Sequence, residues 1–194
     1  AVVAALLLFP ALGSVGAALA ARLTALGARV LACEHDATRA REVAGRLGLE
    51  LLEPGSEFDA ACDVFAPCAL GGILHDLSVQ RLAARVVCGA ANNQLARFAH
   101  GEQLHRRGVL FVPDFLVNCG AVVAGATFHL TSCLPAAVEI EERIGRITTL
   151  LLERSRAEGQ SPARLARREA VSRINSRRAA GARASSISNA IPTQ

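Results

Sequence analysis

Residues 6–36, LLLFPALGSVGAALAARLTALGARVLACEHD, decide the fold. They open within an uncharged apolar run that reaches back to Ala1, as expected of a strand buried on both faces. The run stops at Pro10 and a turn that carries Gly13 and Gly16. Val15, Leu19, Leu23 and Leu26 then recur at i, i+4, i+8 and i+11, which predicts one apolar face of a helix. Gly27 stands where a glycine commonly follows a helix C-terminus. Residues 29–33 give a second short apolar strand, followed at once by Glu34. Strand, glycine turn, helix and strand make a βαβ unit.

The alternation continues downstream. A helix is predicted over 37–47 with Ala40, Val43, Ala44 and Leu47 inward, then a short strand over 50–52. Further buried strands are expected over 63–66, 85–88 and 109–112, with helices over 76–82 and 100–107 between them. Right-handed crossovers turn this series into an α/β fold of Rossmann type, a doubly wound parallel sheet followed by C-terminal helices. Beyond Asn118 the pattern is helical. Ile140, Ile144, Ile147 and Leu151 repeat on one face, and Ser161-Pro162 reads as an N-cap before Pro at the first helical position. From residue 175 Arg, Ala and Ser dominate with no apolar face, which predicts a disordered tail.

Composition excludes several function classes. Of 194 residues, 52% are apolar and only 4% aromatic, so Ala, Leu and Val must fill the core. The net charge of +4 is uneven: residues 1–153 carry 12 Arg and 15 acidic residues, whereas 154–194 carry 9 Arg and 2. The basic balance therefore belongs to the tail, and no basic patch of a nucleic-acid binder spans the fold. The tail also lacks aromatics to stack on bases. No membrane span or leader is expected in the uncharged first 21 residues, because no basic segment precedes them and Pro10, Gly13, Ser14 and Gly16 interrupt them. Six scattered cysteines form no CxxC pair, which points to a reduced cytoplasmic protein without a cysteine metal site. There is no Met at position 1, so a start inside a longer reading frame, or processing, is expected.

The turn ALGSVG at residues 11–16 is a G-x-G-x-x-G dinucleotide fingerprint with Ala11 in place of the first glycine. Gly13 would let the backbone approach a pyrophosphate, and Gly16 would let the helix pack close to the strand. The helix N-terminus at Ser14, Val15 and Gly16 offers free N–H groups and the positive end of the helix dipole. Glu34 lies 18 residues after Gly16, where a carboxylate can accept both ribose hydroxyls and repel a 2′-phosphate. With His35 beside it and no Arg immediately following, NAD is favoured over NADP. The alternative for Glu34 is an ordinary solvated strand end. Three regions follow: a dinucleotide-binding domain over 1–133, C-terminal helices over 134–174 and the tail over 175–194.

Three more stretches follow predicted parallel strands and so fall at the carboxyl edge of the sheet. They are CDVFAPCALGGI at 62–73, GAANNQL at 89–95 and PDFLVNCG at 113–120. In this order after the glycine turn they resemble the C-terminal domain of the glutamate/leucine/phenylalanine/valine dehydrogenase family, leucine and valine dehydrogenases above all. The resemblance covers residues 6–172. It implies that Ala69 lines the adenosine and pyrophosphate channel, that Asn92 faces the nicotinamide ribose and that Asn118 holds the nicotinamide and substrate side. It implies that Val122 and Gly125 border the amino-acid side-chain pocket. For the two asparagines the bland alternative is turn-making or N-capping. The chain departs from the family pattern at Ala11, at Ala121 in place of a second glycine, and at Gly125, where a pocket-lining side chain is usual. The resulting pocket edge is apolar and favours an aliphatic or aromatic amino acid.

The resemblance also implies reversible oxidative deamination of an amino acid to a 2-oxo acid, with proton chemistry from two lysines and an aspartate on an N-terminal domain. This sequence contains no Lys, and Arg cannot serve as the base. No catalytic residue is therefore assigned. His35 belongs to the adenine end, His75, His100, His105 and His129 show no consistent partner spacing, and no metal-ligand cluster is visible. Turnover by this chain alone is not expected. A homo-oligomer stays open for a full-length enzyme, and a non-catalytic dinucleotide-binding or interaction module is the competing reading.

Overall fold

The computed structural model describes residues 5–9 and 12–188, and the side chains of 12–178. The strands are β1 (Ala5–Phe9), β2 (Arg29–Ala32), β3 (Glu50–Leu51), β4 (Val64–Pro67), β5 (Val86–Val87) and β6 (Leu110–Phe111). Between and after them lie α1 (Ser14–Ala25), α2 (Ala37–Leu47), α3 (Asp76–Arg81), α4 (Phe98–Arg106), α5 (Asp114–Val117), α6 (Gly120–Thr131), α7 (Ala137–Glu158) and α8 (Pro162–Ser188). All pairings are parallel and the strand order is β3-β2-β1-β4-β5-β6. This is the order of a doubly wound dinucleotide fold, with its switch point between β1 and β4.

Alternation along the strands builds a core on each face. Val30, Ala66 and Ala20 pack on the side of α1 and α2. Leu31, Cys33, Phe65, Val87 and Phe111 pack on the other side with Val79 of α3, Leu82 just after it and Leu104 of α4. Phe58 joins them, its ring centroid 5.5 Å from that of Phe65. Burial on both faces explains why the strands read as apolar runs rather than as alternating patterns.

Helix α2 forms as its sequence predicts. Ala40, Val43 and Ala44 are buried, and Gly48 closes it at φ 68°. Its N-terminus is capped by Asp36, whose carboxylate accepts from the N–H groups of Thr38 and Arg39. Helix α1 is turned relative to expectation. Gly16 and Ala20 are its buried residues, whereas Val15 is 56% and Leu26 77% exposed. Leu19 and Leu23 do pack partly inward. The smallest residues face the sheet because they let the helix backbone come close to it.

The C-terminal helices dock back on the sheet domain. Ser161 caps α8 by accepting from the Arg164 N–H, and it donates to Glu102 of α4. Gly101 leaves room there: a Cβ would stand 3.0 Å from that of Ala163. Helix α8 runs to Ser188, so residues 175–188, expected to be disordered, are helical. Ala and Arg are strong helix formers, and their propensity continues the helix after its apolar face has ended. Residues 189–194 lie outside the described residues.

The seam between β4 and β5 is closed by glycine. A Cβ at Gly89 would stand 2.3 Å from the Pro67 carbonyl oxygen and 2.5 Å from its nitrogen. Gly145, within α7, has nothing within 4 Å of such a carbon. Gly89→Ala should therefore destabilise the fold by about 1–3 kcal/mol through overpacking. Gly145→Ala should stabilise it by about 0.5–1 kcal/mol, since Ala replaces Gly inside an open helix. Urea denaturation of both variants checks the pair, and equal effects would contradict the close approach.

Candidate functional site

The carboxyl edge of the sheet collects the sequence motifs in one row. Strand order places the loops after β2, β1, β4, β5 and β6 side by side, so Glu34, Gly13, Ala69, Asn92 and Asn118 follow one another across the edge. Four inter-strand steps of about 4.8 Å make this row about 19 Å long.

At the first end, the N-terminus of α1 is open. Gly13 is its N-cap with no side-chain hydrogen bond, and its first turn holds no acidic residue. The helix dipole presents its positive end there, and no acidic residue of the first turn offsets it. Gly13, Ser14, Val15 and Gly16 line a cavity of about 440 Å³ together with Glu34, Arg39, Cys68, Ala69 and Leu70. The turn's departure from the fingerprint, Ala11 after Pro10, lies outside the described residues.

Glu34 is not a solvated strand end. Its side chain is 9% exposed. Oε2 accepts from the Leu12 N–H at 3.1 Å, which ties the end of β2 to the glycine turn. Oε1 accepts from the Asp36 N–H at 3.1 Å. A carboxylate offers about four lone-pair sites, so the group is oriented yet keeps acceptor capacity. On its other side Glu34 borders a second cavity of about 270 Å³, shared with His35, Ala37, Ala40, Arg41, Leu52 and Pro54.

One charged neighbour escapes the sequence reading. Arg39 is five residues beyond Glu34, and its Nη1 stands 3.7 Å from Glu34 Oε2 while Nη2 stands 3.7 Å from Asp36 Oδ2. The signal that could have found it is the capping residue Asp36. A cap there puts position 39 in the first helical turn, beside the strand end.

The middle and far parts of the row are knitted by backbone groups. The loops after β4 and β5 run alongside each other: the Gly72 N–H donates to the Asn93 carbonyl at 2.7 Å and the Leu74 N–H to that of Gln94 at 2.9 Å. A Cβ at Gly71 would stand 2.9 Å from the Asn92 carbonyl, and Asn93 adopts φ 53°. Gln94 is fully buried and donates its amide to the carbonyls of Gly89 and Ala91. Its own N–H donates to the carboxylate of Asp114 at the start of α5.

Asn118 donates to Asn92 Oδ1 at 2.8 Å and to the carbonyls of Ala90 and Ala91 at 3.3 Å. The structure thus brings Asn92 and Asn118 into direct contact, and Asn118 also bonds to the backbone of the 89–95 loop. Val122 and Gly125 sit one turn apart on α6, a helix with no buried residue, and Val122 is 71% exposed. Burial raises the Cys68 and Cys88 thiols above their usual range, which disfavours the thiolate. Among the described residues no group of His, Cys, Asp and Glu could hold a metal ion, and no helix is long and apolar enough to cross a membrane.

Comparison with known proteins places the chain. The family model described as Glutamate/Leucine/Phenylalanine/Valine dehydrogenase matches residues 34–171. The leucine dehydrogenase of Thermoactinomyces intermedius is 38% identical over 97 residues, covering 50% of this chain and 26% of that protein. The valine dehydrogenase of Streptomyces albus is 41% identical over 121 residues, covering 60% and 32%. The crystal structure of L-tryptophan dehydrogenase from Nostoc punctiforme superposes with a TM-score of 0.79 at 29% identity, covering 89% of this chain and 52% of that one. The matched part is thus about half of that structure and a third or less of the two curated relatives.

The loop seam generates a test. Asp114→Ala removes the acceptor of a buried N–H and should cost about 1–3 kcal/mol, while Asp114→Asn keeps an acceptor oxygen and should cost less. Amide exchange at Gln94 should accelerate in the Ala variant. Unchanged exchange would show that Asp114 does not hold the 89–95 loop.

Proposed function

The chain belongs to the glutamate/leucine/phenylalanine/valine dehydrogenase family, and we propose that it is the dinucleotide-binding part of an NAD-dependent amino-acid dehydrogenase. The observation that carries this reading is Glu34, nearly buried, bonded to the glycine turn and shared by two adjoining cavities.

An adenosine diphosphate fits this arrangement. The N–H groups of Ser14, Val15 and Gly16 receive the pyrophosphate, and Gly13 lets it approach. Glu34 accepts the ribose hydroxyls, and the adenine extends past His35 into the 270 Å³ cavity. Ala69 borders the channel from the β4 side. Asn92 and Asn118 hold the nicotinamide ribose and ring at the other end of the row. Val122 and Gly125 form an apolar edge for the side chain of an L-amino acid. The substrate class proposed is therefore an apolar amino acid and its 2-oxo acid.

When bound, the dinucleotide supplies the hydride acceptor for oxidation of the α-carbon. The chain's residues bind and orient it and keep the loops at the nicotinamide end fixed. The reaction also needs a base for the amine and the attacking water. The sequence has no Lys, and its guanidinium groups stay protonated. His100 is buried between the Arg97 N–H and Asp76, and His35 sits at the adenine end. We therefore place the proton-transfer groups outside these 194 residues.

Two outcomes are expected. The chain alone should form no NADH with leucine, valine or tryptophan in a spectrophotometric assay, and measurable turnover would overturn the assignment of the base. Calorimetry should show NAD binding that Glu34→Arg weakens by about tenfold or more while NADP binding improves, a shift of at least about 1.4 kcal/mol. Absence of any dinucleotide binding to the folded chain would instead favour an interaction module.

A further inference from the structure

A carboxylate at the end of β2 repels a 2′-phosphate when it is the only charge there. Here it is not. Arg39 projects from the first turn of α2 into the cavity that Glu34 shares with the glycine turn. We infer that Arg39 sets how this site treats the 2′-position of the adenosine ribose, and that it admits a 2′-phosphorylated dinucleotide beside the unphosphorylated one. The inference rests on the dinucleotide reading given above and refines its cofactor choice.

Three features carry it. Glu34 is held in place from two sides by the N–H groups of Leu12 and Asp36, so its charge is fixed and directed. The Arg39 guanidinium approaches both Glu34 and Asp36 at 3.7 Å, within ion-pair range but beyond hydrogen-bond length. Its single charge offsets one of the two carboxylates, and neither contact takes up its N–H fork. Half of the side chain is exposed, on the cavity side of the strand end. A guanidinium in that state can take a phosphate through paired hydrogen bonds.

Its position on the helix is also unusual. A cation in the first turn sits at the positive end of the helix dipole, where anions are preferred. The N–H groups of that turn are already served by Asp36. The fold thus tolerates a positive side chain at a place that gains from a nearby anion. Glu34 and Asp36 supply two anions, and a ribose 2′-phosphate would supply a third. Arg41, two residues on, bonds back to the Ala37 carbonyl through Nε and lines the second cavity.

The test is calorimetric titration of the whole chain with NAD and with NADP. The unmutated chain should bind both, with affinities within about tenfold of each other. Arg39→Ala should weaken NADP by about tenfold or more and leave NAD within about threefold, and Arg39→Lys should restore part of the NADP affinity because a point charge replaces the fork. Retained NAD binding shows that the Ala variant is folded at this site. If the unmutated chain binds NAD but not NADP, this inference alone falls. Equal losses for both dinucleotides in Arg39→Ala, or no loss of NADP, also overturn it. If the unmutated chain binds neither, the dinucleotide reading falls with it.

Discussion

Strand β1 is paired on both sides, with β2 at Leu6↔Val30 and with β4 at Leu6↔Val64. Everything functional in this chain depends on that central register. It puts the ends of β2, β1 and β4 level at one edge, so the glycine turn, Glu34 and the 68–70 loop face a common space. A slip of one residue would turn every side chain of the strand to the other face. Burial on both faces makes such a slip costly, since Val30 and Leu31 belong to different halves of the core.

The site is assembled with few side chains. Gly89 lets two strand ends meet, Gly72 and Leu74 hydrogen-bond to the neighbouring loop, and Gln94 donates to the carbonyls of Gly89 and Ala91. Buried backbone groups must be paired, and here the pairing itself orders the loops. Helices α7 and α8 contribute differently. Arg154, Glu158, Arg168 and Glu169 link them through exposed ion pairs, which contribute little individually. Leu151 and Leu165, buried between them, contribute more.

Much of this was legible in the residues. The apolar runs and glycine turns gave the parallel α/β sheet, and the 37–47 helix matched its predicted bounds and inward face. Glu34 and the three later motifs were located at the right edge. Other parts were not legible, for physical reasons. The inward face of α1 was misjudged because apolar spacing marks Val15 and Leu26, whereas close packing selects Gly16 and Ala20. The helical run to Ser188 escaped a reading based on apolar faces, because Ala and Arg continue the helix by propensity after its apolar face has ended. Arg39 was missed because its place beside Glu34 emerges only when the Asp36 cap is read together with the end of β2. The Gln94–Asp114 bond spans 20 residues and two strands, beyond any local pattern.

The central claim is that one ligand lies along the whole carboxyl edge, from Glu34 to Asn118. Hydrogen–deuterium exchange of the chain with and without saturating NAD tests it most directly. The account predicts slower exchange in two separated segments, 12–16 with 34–36 at one end and 89–95 at the other, with α7 and α8 unchanged. Protection confined to α7 and α8, or no protection at the glycine turn, would contradict it.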